Sequence, residues 1–266
     1  MPMDLLSDYL DFAKDLALQA GDVMLEHFKV GVAWQAKDDG SAVTIADTAI
    51  NTLVINAVAQ KFPSHSVRGE EESNHVPGDE YVWVCDPIDG TLPFTLGIPI
   101  SMFSIALVKD GQPIVAVTYD PFLRRLYHAT SNSGAFMNEQ PIRVNQAGLE
   151  KSTKFTVTTS MQMVDSIKLT TALREQFHSR LFIFNSAVYC AMLVATGQFG
   201  FYICGATGAH DIAACKLIVE KAGGRVTDLY GNEQRYDQPV RGAIISNGQV
   251  HDQLIELVKP FLQKAE

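Results

Sequence analysis

Asp86-Pro87-Ile88-Asp89-Gly90-Thr91 is the stretch of this chain whose residue types and spacing best carry chemistry. An apolar run, Tyr81-Val82-Trp83-Val84-Cys85, leads into Asp86, and Pro87 then restricts the backbone. Two carboxylates three residues apart at a strand-to-turn junction can converge on one point, at a repulsive cost that a divalent cation offsets. Hard cations such as Mg²⁺ take oxygen ligands, and the backbone carbonyl of Ile88 qualifies beside the two carboxylates. Gly90 permits an unusual backbone angle, and Thr91 offers a hydroxyl and an amide at the turn. With a helix or turn starting there, the amides of Gly90 and Thr91 face a phosphate. The same six residues also read as a plain structural turn, so other segments must decide between the two.

Two further acidic segments bear on that choice. Gly69-Glu70-Glu71-Glu72 follows a strand-like run from Ser64 to Arg68, although three consecutive acids also describe a solvated, self-repelling loop. Asp211 opens an apolar helix in Gly208-Ala209-His210-Asp211-Ile212-Ala213-Ala214, where capping of the helix start is the ordinary alternative.

The elements that must position these acids follow from hydrophobic periodicity. Helical spacing predicts a first helix from Leu5 to Phe28, capped by Asp4 or Ser7, and a second opened by Thr44 or Asp47 and stopped at Phe62-Pro63. Between them lies the polar loop Lys37–Ser41. Strand-like runs at 81–85, 104–108, 114–119 and 125–129 predict an antiparallel sheet in the middle of the chain. Beyond residue 150 strands and helices alternate. Strands are expected at Phe155–Thr158, Leu181–Phe184, Phe199–Cys204, Arg225–Thr227 and Gly242–Ser246. Helices are expected at Val188–Ala195, at Ile212–Ala222 closed by Gly223-Gly224, and at Gln249–Gln263 interrupted near Pro260. No linker separates domains, so the reading is α/β (α+β): a 1–145 half carrying most of the acids and a 146–266 half carrying Asp211, in one compact unit.

The composition narrows the function classes. In 266 residues, 47% are hydrophobic and 19% charged, which excludes a disordered chain. The balance of 21 Lys+Arg against 30 Asp+Glu gives a net charge of −9, which argues against a nucleic-acid polymer as partner. Cys85, Cys190, Cys204 and Cys215 each sit in an apolar run and form no C-x-x-C pair, as expected of buried thiols in a reducing compartment. With no signal-peptide pattern at Met1–Leu6 and no apolar run near the roughly 18 residues a membrane helix needs, a soluble, cytoplasmic protein is expected.

Taken together, the segments resemble the inositol monophosphatase family of Mg²⁺-dependent, Li⁺-sensitive sugar phosphatases over nearly the whole chain. The resemblance rests on Val43–Asp47 (V-T-x-x-D), Gly69–Glu71 (G-E-E), Asp86–Thr91 (D-P-I-D-G-T) and the stretch from Asp211 to Gly224 (D-x-A-A…E-x-A-G-G), in family order. It implies a layered α-β-α-β-α sandwich of the sugar phosphatase type, with an antiparallel N-terminal sheet and a mixed C-terminal one. It also implies a phosphoric monoester hydrolase with two or three Mg²⁺ per site. Glu70, Asp86 and the Ile88 carbonyl would hold the metal that activates water, and Asp86, Asp89 and Asp211 a second near the leaving oxygen. Asp47 with Thr91 would orient and deprotonate the water, and Gly90 and Thr91 would cradle the phosphate. Family relatives are commonly homodimers, so a homodimer is expected.

The departures concern the substrate. Leu92-Pro93 replaces the family's Thr-Asn after D-P-I-D-G-T, and Cys215 replaces a glycine. His210 replaces the aromatic residue before the last metal ligand, as packing or as a contact to substrate or phosphate. Cys204 replaces the acid seven positions before Asp211 that accepts bonds from inositol hydroxyls, and a thiol is a poor acceptor. Asn185, in Asn185-Ser186-Ala187, stands where a pocket glycine is common, and these three residues together with Asp89 are expected to contact the phosphate or substrate. The expected substrate is therefore a small inositol- or sugar-phosphate-like monoester. The alternatives are histidinol phosphate, fructose 1,6-bisphosphate or 3′-phosphoadenosine 5′-phosphate, or a catalytically silent regulator that binds a sugar phosphate. A haloacid-dehalogenase-type phosphatase fits poorly, since its acids lie two apart.

Overall fold

The computed structural model describes residues 3–38, 40–149, 154–157, 163–177, 180–205 and 207–263. Helix α1 (Met3–His27) is followed by strands β1 (Trp34–Ala36) and β2 (Ala42–Thr44) and by helix α2 (Ile45–Lys61). Next come β3 (Ser66–Gly69), β4 (Ser73–Asn74), β5 (Tyr81–Asp89) and a short helix α3 (Thr91–Thr95). The meander β6 (Met102–Lys109), β7 (Gln112–Asp120), β8 (Arg125–Thr130), β9 (Ala135–Met137) and β10 (Gln140–Pro141) completes the first half. The second half runs β11 (Lys154–Val157), α4 (Ser166–Phe177), β12 (Arg180–Phe182), α5 (Ala187–Ala195), β13 (Phe201–Cys204), α6 (Ala209–Lys221), β14 (Arg225–Thr227), β15 (Ala243–Ser246) and α7 (His251–Val258). A 3₁₀ turn, Lys259–Phe261, then breaks the last helix at Pro260.

Side-chain alternation explains the layering. Along β5, Trp83 and Cys85 face a core formed with α1 and α2, whereas Val84 between them faces a second core formed with α5 and α6. Along β13, Tyr202 and Cys204 join that same second core, while Phe201 and Ile203 face a third, closed by Leu169 and Leu173 of α4 and Leu254 and Val258 of α7. Because the central strands of the two sheets are covered on both sides in this way, the layers stack as α-β-α-β-α, with the short edge strands β4, β10 and β12 left partly exposed. The eight-stranded sheet has the order β10-β9-β8-β7-β6-β5-β3-β4, and the five-stranded sheet β12-β11-β13-β15-β14.

Several details differ from what periodicity implies. The larger sheet is not wholly antiparallel, because β3 pairs with β5 in parallel, Gly69 opposite Cys85. That pairing sends the ends of both strands, and the acids that follow them, out at the same edge of the sheet. Helix α1 runs through Asp4 and Ser7 rather than being capped by either. β12 ends at Phe182, short of Phe184, and the expected strand end at Thr158 lies outside the described residues. β1, β2 and α3 are too short to be read in advance, whereas α4, with Leu169 and Leu173 buried four residues apart, has helical spacing that the sequence reading leaves out.

Thr44 joins fold to site. Its hydroxyl accepts the N–H groups of Ala46 and Asp47 at the start of α2, and the Asp47 carboxylate reaches back to the Thr44 amide. This capping box fixes the first turn of α2 and, with it, the direction of Asp47. Thr44→Ala is expected to destabilise the protein by roughly 0.5–2 kcal/mol in a urea titration; an unchanged midpoint would show that α2 does not depend on the cap.

Candidate active site

Residues three apart on a regular strand face opposite sides of a sheet, yet Asp86 and Asp89 meet. The reason is a bulge. Asp86 pairs with Ser104 and Asp89 with Met102, so one extra residue is inserted on β5 between them. Pro87, which has no N–H to give the ladder, sits inside that bulge. β5 therefore continues to Asp89 instead of turning after Asp86. Gly90 follows with φ of 83°, and a Cβ there would come within 3.0 Å of the Asn185 carbonyl and the Ser186 side chain, so glycine is required on both counts.

The other acids arrive from neighbouring elements. The Glu70 amide donates to the Cys85 carbonyl at 3.0 Å, which sets Glu70 beside Asp86. Asp211 stands in the first turn of α6, and one of its oxygens accepts the Gly208 N–H at 2.6 Å. Capping and site membership thus hold together for this residue. Ligand atoms of Asp86, Asp89 and Asp211 lie within 4.8 Å of one another, as do those of Glu70, Asp86 and His210. Asp86 and Asp89 are buried, and one Asp86 oxygen has no hydrogen-bond partner. An unpartnered buried carboxylate oxygen amid other oxygens is what a hard divalent cation fits, so the donor set suits a metal site.

Electrostatics agree. Burial, reinforced by the charges of Glu70, Asp89 and Asp211, pushes the Asp86 carboxyl well above the ordinary carboxylate range. Burial and the nearby Asp211 charge push Asp89 up to about 7, against three donors that favour its ionised form. Those donors are the Ser186 hydroxyl and the Ala187 and Val188 amides, the amides at 2.8 and 2.9 Å, so the start of α5 is aimed at Asp89. Burial also raises Asp211. Lys37 holds Glu70 at 2.7 Å and Glu71 at 2.6 Å; burial works against its charge, but these two partners prevail and raise its pKa.

Asp47 lies fully buried beside the cluster. Its Oδ1 accepts the Thr91 hydroxyl at 3.2 Å and its Oδ2 accepts the Thr44 hydroxyl at 2.5 Å and the Thr44 amide at 2.8 Å. Burial pushes Asp47 up to about 6 in spite of the Thr44 hydrogen bonds. The Thr91 hydroxyl also lies 3.0 Å from the Ile88 carbonyl, which keeps a second lone pair.

A cavity of about 400 Å³ opens over these groups. Glu70, Asp89, Gly90, Thr91, Asn185, Ser186, Ala187 and Asp211 line it, joined by Trp34, Leu92, Phe184, Tyr202 and Thr207. Of the residues expected to touch substrate, Ser186 and Ala187 have their polar groups engaged by Asp89, and neither Cys204 nor His210 is among those lining the cavity. Cys204 is fully buried, with its thiol 3.6 Å from the Ala243 carbonyl. Tyr202, on the same face of β13, takes the lining position instead. Leu92 lies half-exposed at the mouth, and Pro93 falls in the first turn of α3, where its missing N–H is tolerated. Lys37, Trp34, Phe184, Tyr202 and Thr207 were not singled out from the sequence, since only tertiary folding brings them to the carboxylates. A larger cavity of about 630 Å³, bordered by Arg68, His75, Asp110 and Arg235, gathers none of these acids.

Comparison with known proteins gives a consistent picture. A sequence model of the inositol monophosphatase family matches residues 5–262. The fructose-1,6-bisphosphatase/inositol-1-monophosphatase of Thermotoga maritima is 30% identical over 259 residues, covering 97% of this chain and 98% of that protein. A histidinol-phosphatase of Chlorobaculum parvum is 30% identical over 250 residues, covering 94% and 96%. The solved structure of a Thermotoga maritima IMPase superposes with a TM-score of 0.87 at 28% identity, covering 95% of this chain and 97% of that one.

Asp86→Asn tests the electrostatic picture. Removing one charge from the buried cluster is expected to raise the metal-free melting temperature by several degrees while weakening Mg²⁺ binding in calorimetry. A lower metal-free melting temperature with unaltered Mg²⁺ affinity would contradict it. Asp89 is the poorer choice, because an asparagine there would turn an amide group toward N–H donors.

Proposed function

From the premise that the chain belongs to the inositol monophosphatase family and is a phosphatase, we propose that it hydrolyses a small inositol- or sugar-phosphate-like monoester with Mg²⁺, by direct attack of water. The observation that carries this reading is the convergence of Glu70, Asp86, Asp89 and Asp211 with the Asp47–Thr91 pair at one cavity. Two or three divalent cations, when bound, polarise the phosphate and acidify water. Glu70, Asp86 and the Ile88 carbonyl form one ligand group, and Asp86, Asp89 and Asp211 the other.

The chain's own groups divide the remaining work. Asp47, pushed up to about 6, is a stronger base than an ordinary carboxylate and is still mostly ionised at neutral pH. It takes the water's proton through the Thr91 hydroxyl, which it already accepts. The capping box leaves that carboxylate little freedom to turn away. Gly90 and Thr91 offer their amides to the phosphate, since the left-handed Gly90 starts α3 at that point. Ser186, Ala187 and Val188 orient Asp89 and favour its ionised form against the burial that raises its pKa. No covalent phosphoenzyme is needed.

A single phosphate is favoured over a bisphosphate or phosphorylated nucleotide, because none of Lys154, Arg174, Arg180 and Arg241 lines the cavity. A second reading, a substrate with a flat apolar portion such as histidinol phosphate, draws on Trp34, Leu92, Phe184 and Tyr202 around the mouth. The histidinol-phosphatase relative gives it weight. Four buried free cysteines suit a cytoplasmic location, and among the described residues no helix is long and apolar enough to cross a membrane. The homodimer belongs to the same reading. Leu96, Ile98 and Ile183 are exposed along an apolar groove of about 370 Å³, which a second copy would cover.

A phosphate-release screen across sugar, cyclitol, amino-alcohol and nucleotide phosphates, with and without Mg²⁺ and with a Li⁺ control, tests the proposal. Strong Mg²⁺-dependent turnover of a monoester is expected, and Asp47→Asn should lower kcat about 10²–10⁴-fold. Silence across the panel with metal still bound would favour a sugar-phosphate-binding regulator. Near-normal turnover by Asp47→Asn would remove Asp47 from its role.

A further inference from the structure

The imidazole of His210 stands at the carboxylate cluster, and the proposed chemistry gives it no task. It sits in the first turn of α6, next to Asp211, with Nε2 at 3.5 Å from an Asp211 oxygen. Its ring nitrogen also lies within 4.8 Å of oxygens from Glu70 and Asp86. Among the described residues this is the imidazole that joins either group of convergent acids.

Two observations show that the ring is accommodated there. A Cβ on Gly208 would fall 2.2–2.7 Å from three ring atoms of His210, so the missing side chain at 208 is the space the ring occupies. Gly208 has φ of −90°, which any residue adopts, so the backbone does not demand glycine there. The second observation is the unpartnered, buried oxygen of Asp86, which belongs to the same three-residue group.

We propose that His210 is a direct ligand at the Glu70–Asp86 position, giving it a mixed nitrogen and oxygen donor set that accepts Mn²⁺ or Co²⁺ in preference to Mg²⁺. The proposal rests on the reading of these acids as metal ligands. Mg²⁺ favours an all-oxygen shell, whereas imidazole binds later divalent ions well, so one nitrogen donor shifts the preference among metals. The alternative is that the ring only pairs with Asp211.

Mn²⁺ alone, added to the metal-stripped full chain without substrate, is the probe. Pulsed electron paramagnetic resonance is expected to show a nitrogen coupling that changes to the ¹⁵N pattern on histidine labelling and disappears in His210→Phe. The same substitution should weaken Mn²⁺ binding about 10–100-fold, and Mg²⁺ binding much less. Should Phe at 210 prevent folding, Gly208→Ala gives the same test, since its methyl group takes the space of the ring. Absence of nitrogen coupling in the wild type, persistence of it in both variants, or equal loss of Mn²⁺ and Mg²⁺ affinity would overturn the assignment. None of these outcomes involves turnover, so phosphate release remains a separate test of the phosphatase reading.

Discussion

Carboxylates gathered away from water repel one another, and the whole arrangement of this protein answers to that constraint. Asp86 and Asp89 are buried, with Asp211 and Glu70 at their side, and each raises the proton affinity of its neighbours. A flexible chain would separate them. Here each acid is held by a different rigid device: a bulge for Asp86 and Asp89, a parallel strand pair for Glu70, and a helix start for Asp211. The packed cores on both sides of the larger sheet keep these devices in register. The strain finds relief in cations, Lys37 on the outer acids and a divalent metal at the inner ones.

The same architecture separates catalysis from recognition. The reacting end of the cavity is built by β5, α3, α5 and the start of α6, which are short or buried elements. The mouth is built from Trp34 on the first hairpin, Leu92 on an exposed turn, and Phe184 in a loop. Relatives sharing about 30% of their residues with this chain are named for different phosphate esters.

Much of this was legible in the sequence because the chemistry is local. The six residues from Asp86 to Thr91 and the start of α6 announce a carboxylate-bearing turn and a helix cap, and the resemblance to a family supplied the role proposed for each; the bulge against β6 that brings Asp86 and Asp89 together was not legible. The layered fold was legible through the same resemblance, and most strands and helices through period. What escaped was non-local. Nothing in Ser66–Gly69 announces a parallel partner, and without that pairing Glu70 has no reason to approach Asp86. Cys204 was expected in the pocket because the resemblance puts a substrate-contacting acid at its position; a matching position in sequence does not say how deep a side chain lies, and Cys204 is fully buried. Tyr202, on the same face of β13, fills the position. Lys37 lay in plain view in a polar loop, but only the folded chain shows it bridging two acids.

The most direct test of the central claim is the melting temperature of the wild-type protein, metal-stripped and with Mg²⁺, at pH 5 and pH 8. Asp47 and Asp89 titrate near 3.8 when unfolded and at about 6 and about 7 when folded. An acid that holds its proton more tightly in the native state favours that state at low pH. The advantage shrinks as pH rises from the unfolded value and is gone above the folded one. The metal-free protein should therefore lose stability between about pH 4 and pH 7, and Mg²⁺ should restore it. At a hundredfold excess over its Kd, Mg²⁺ is expected to add about 2.7 kcal/mol, or roughly 5–10 °C for a chain of this size. At pH 5, where protons compete for the same oxygens, the same Mg²⁺ concentration should add far less. Equal increments at both pH values, or none at pH 8, would contradict a buried carboxylate cluster that needs a cation.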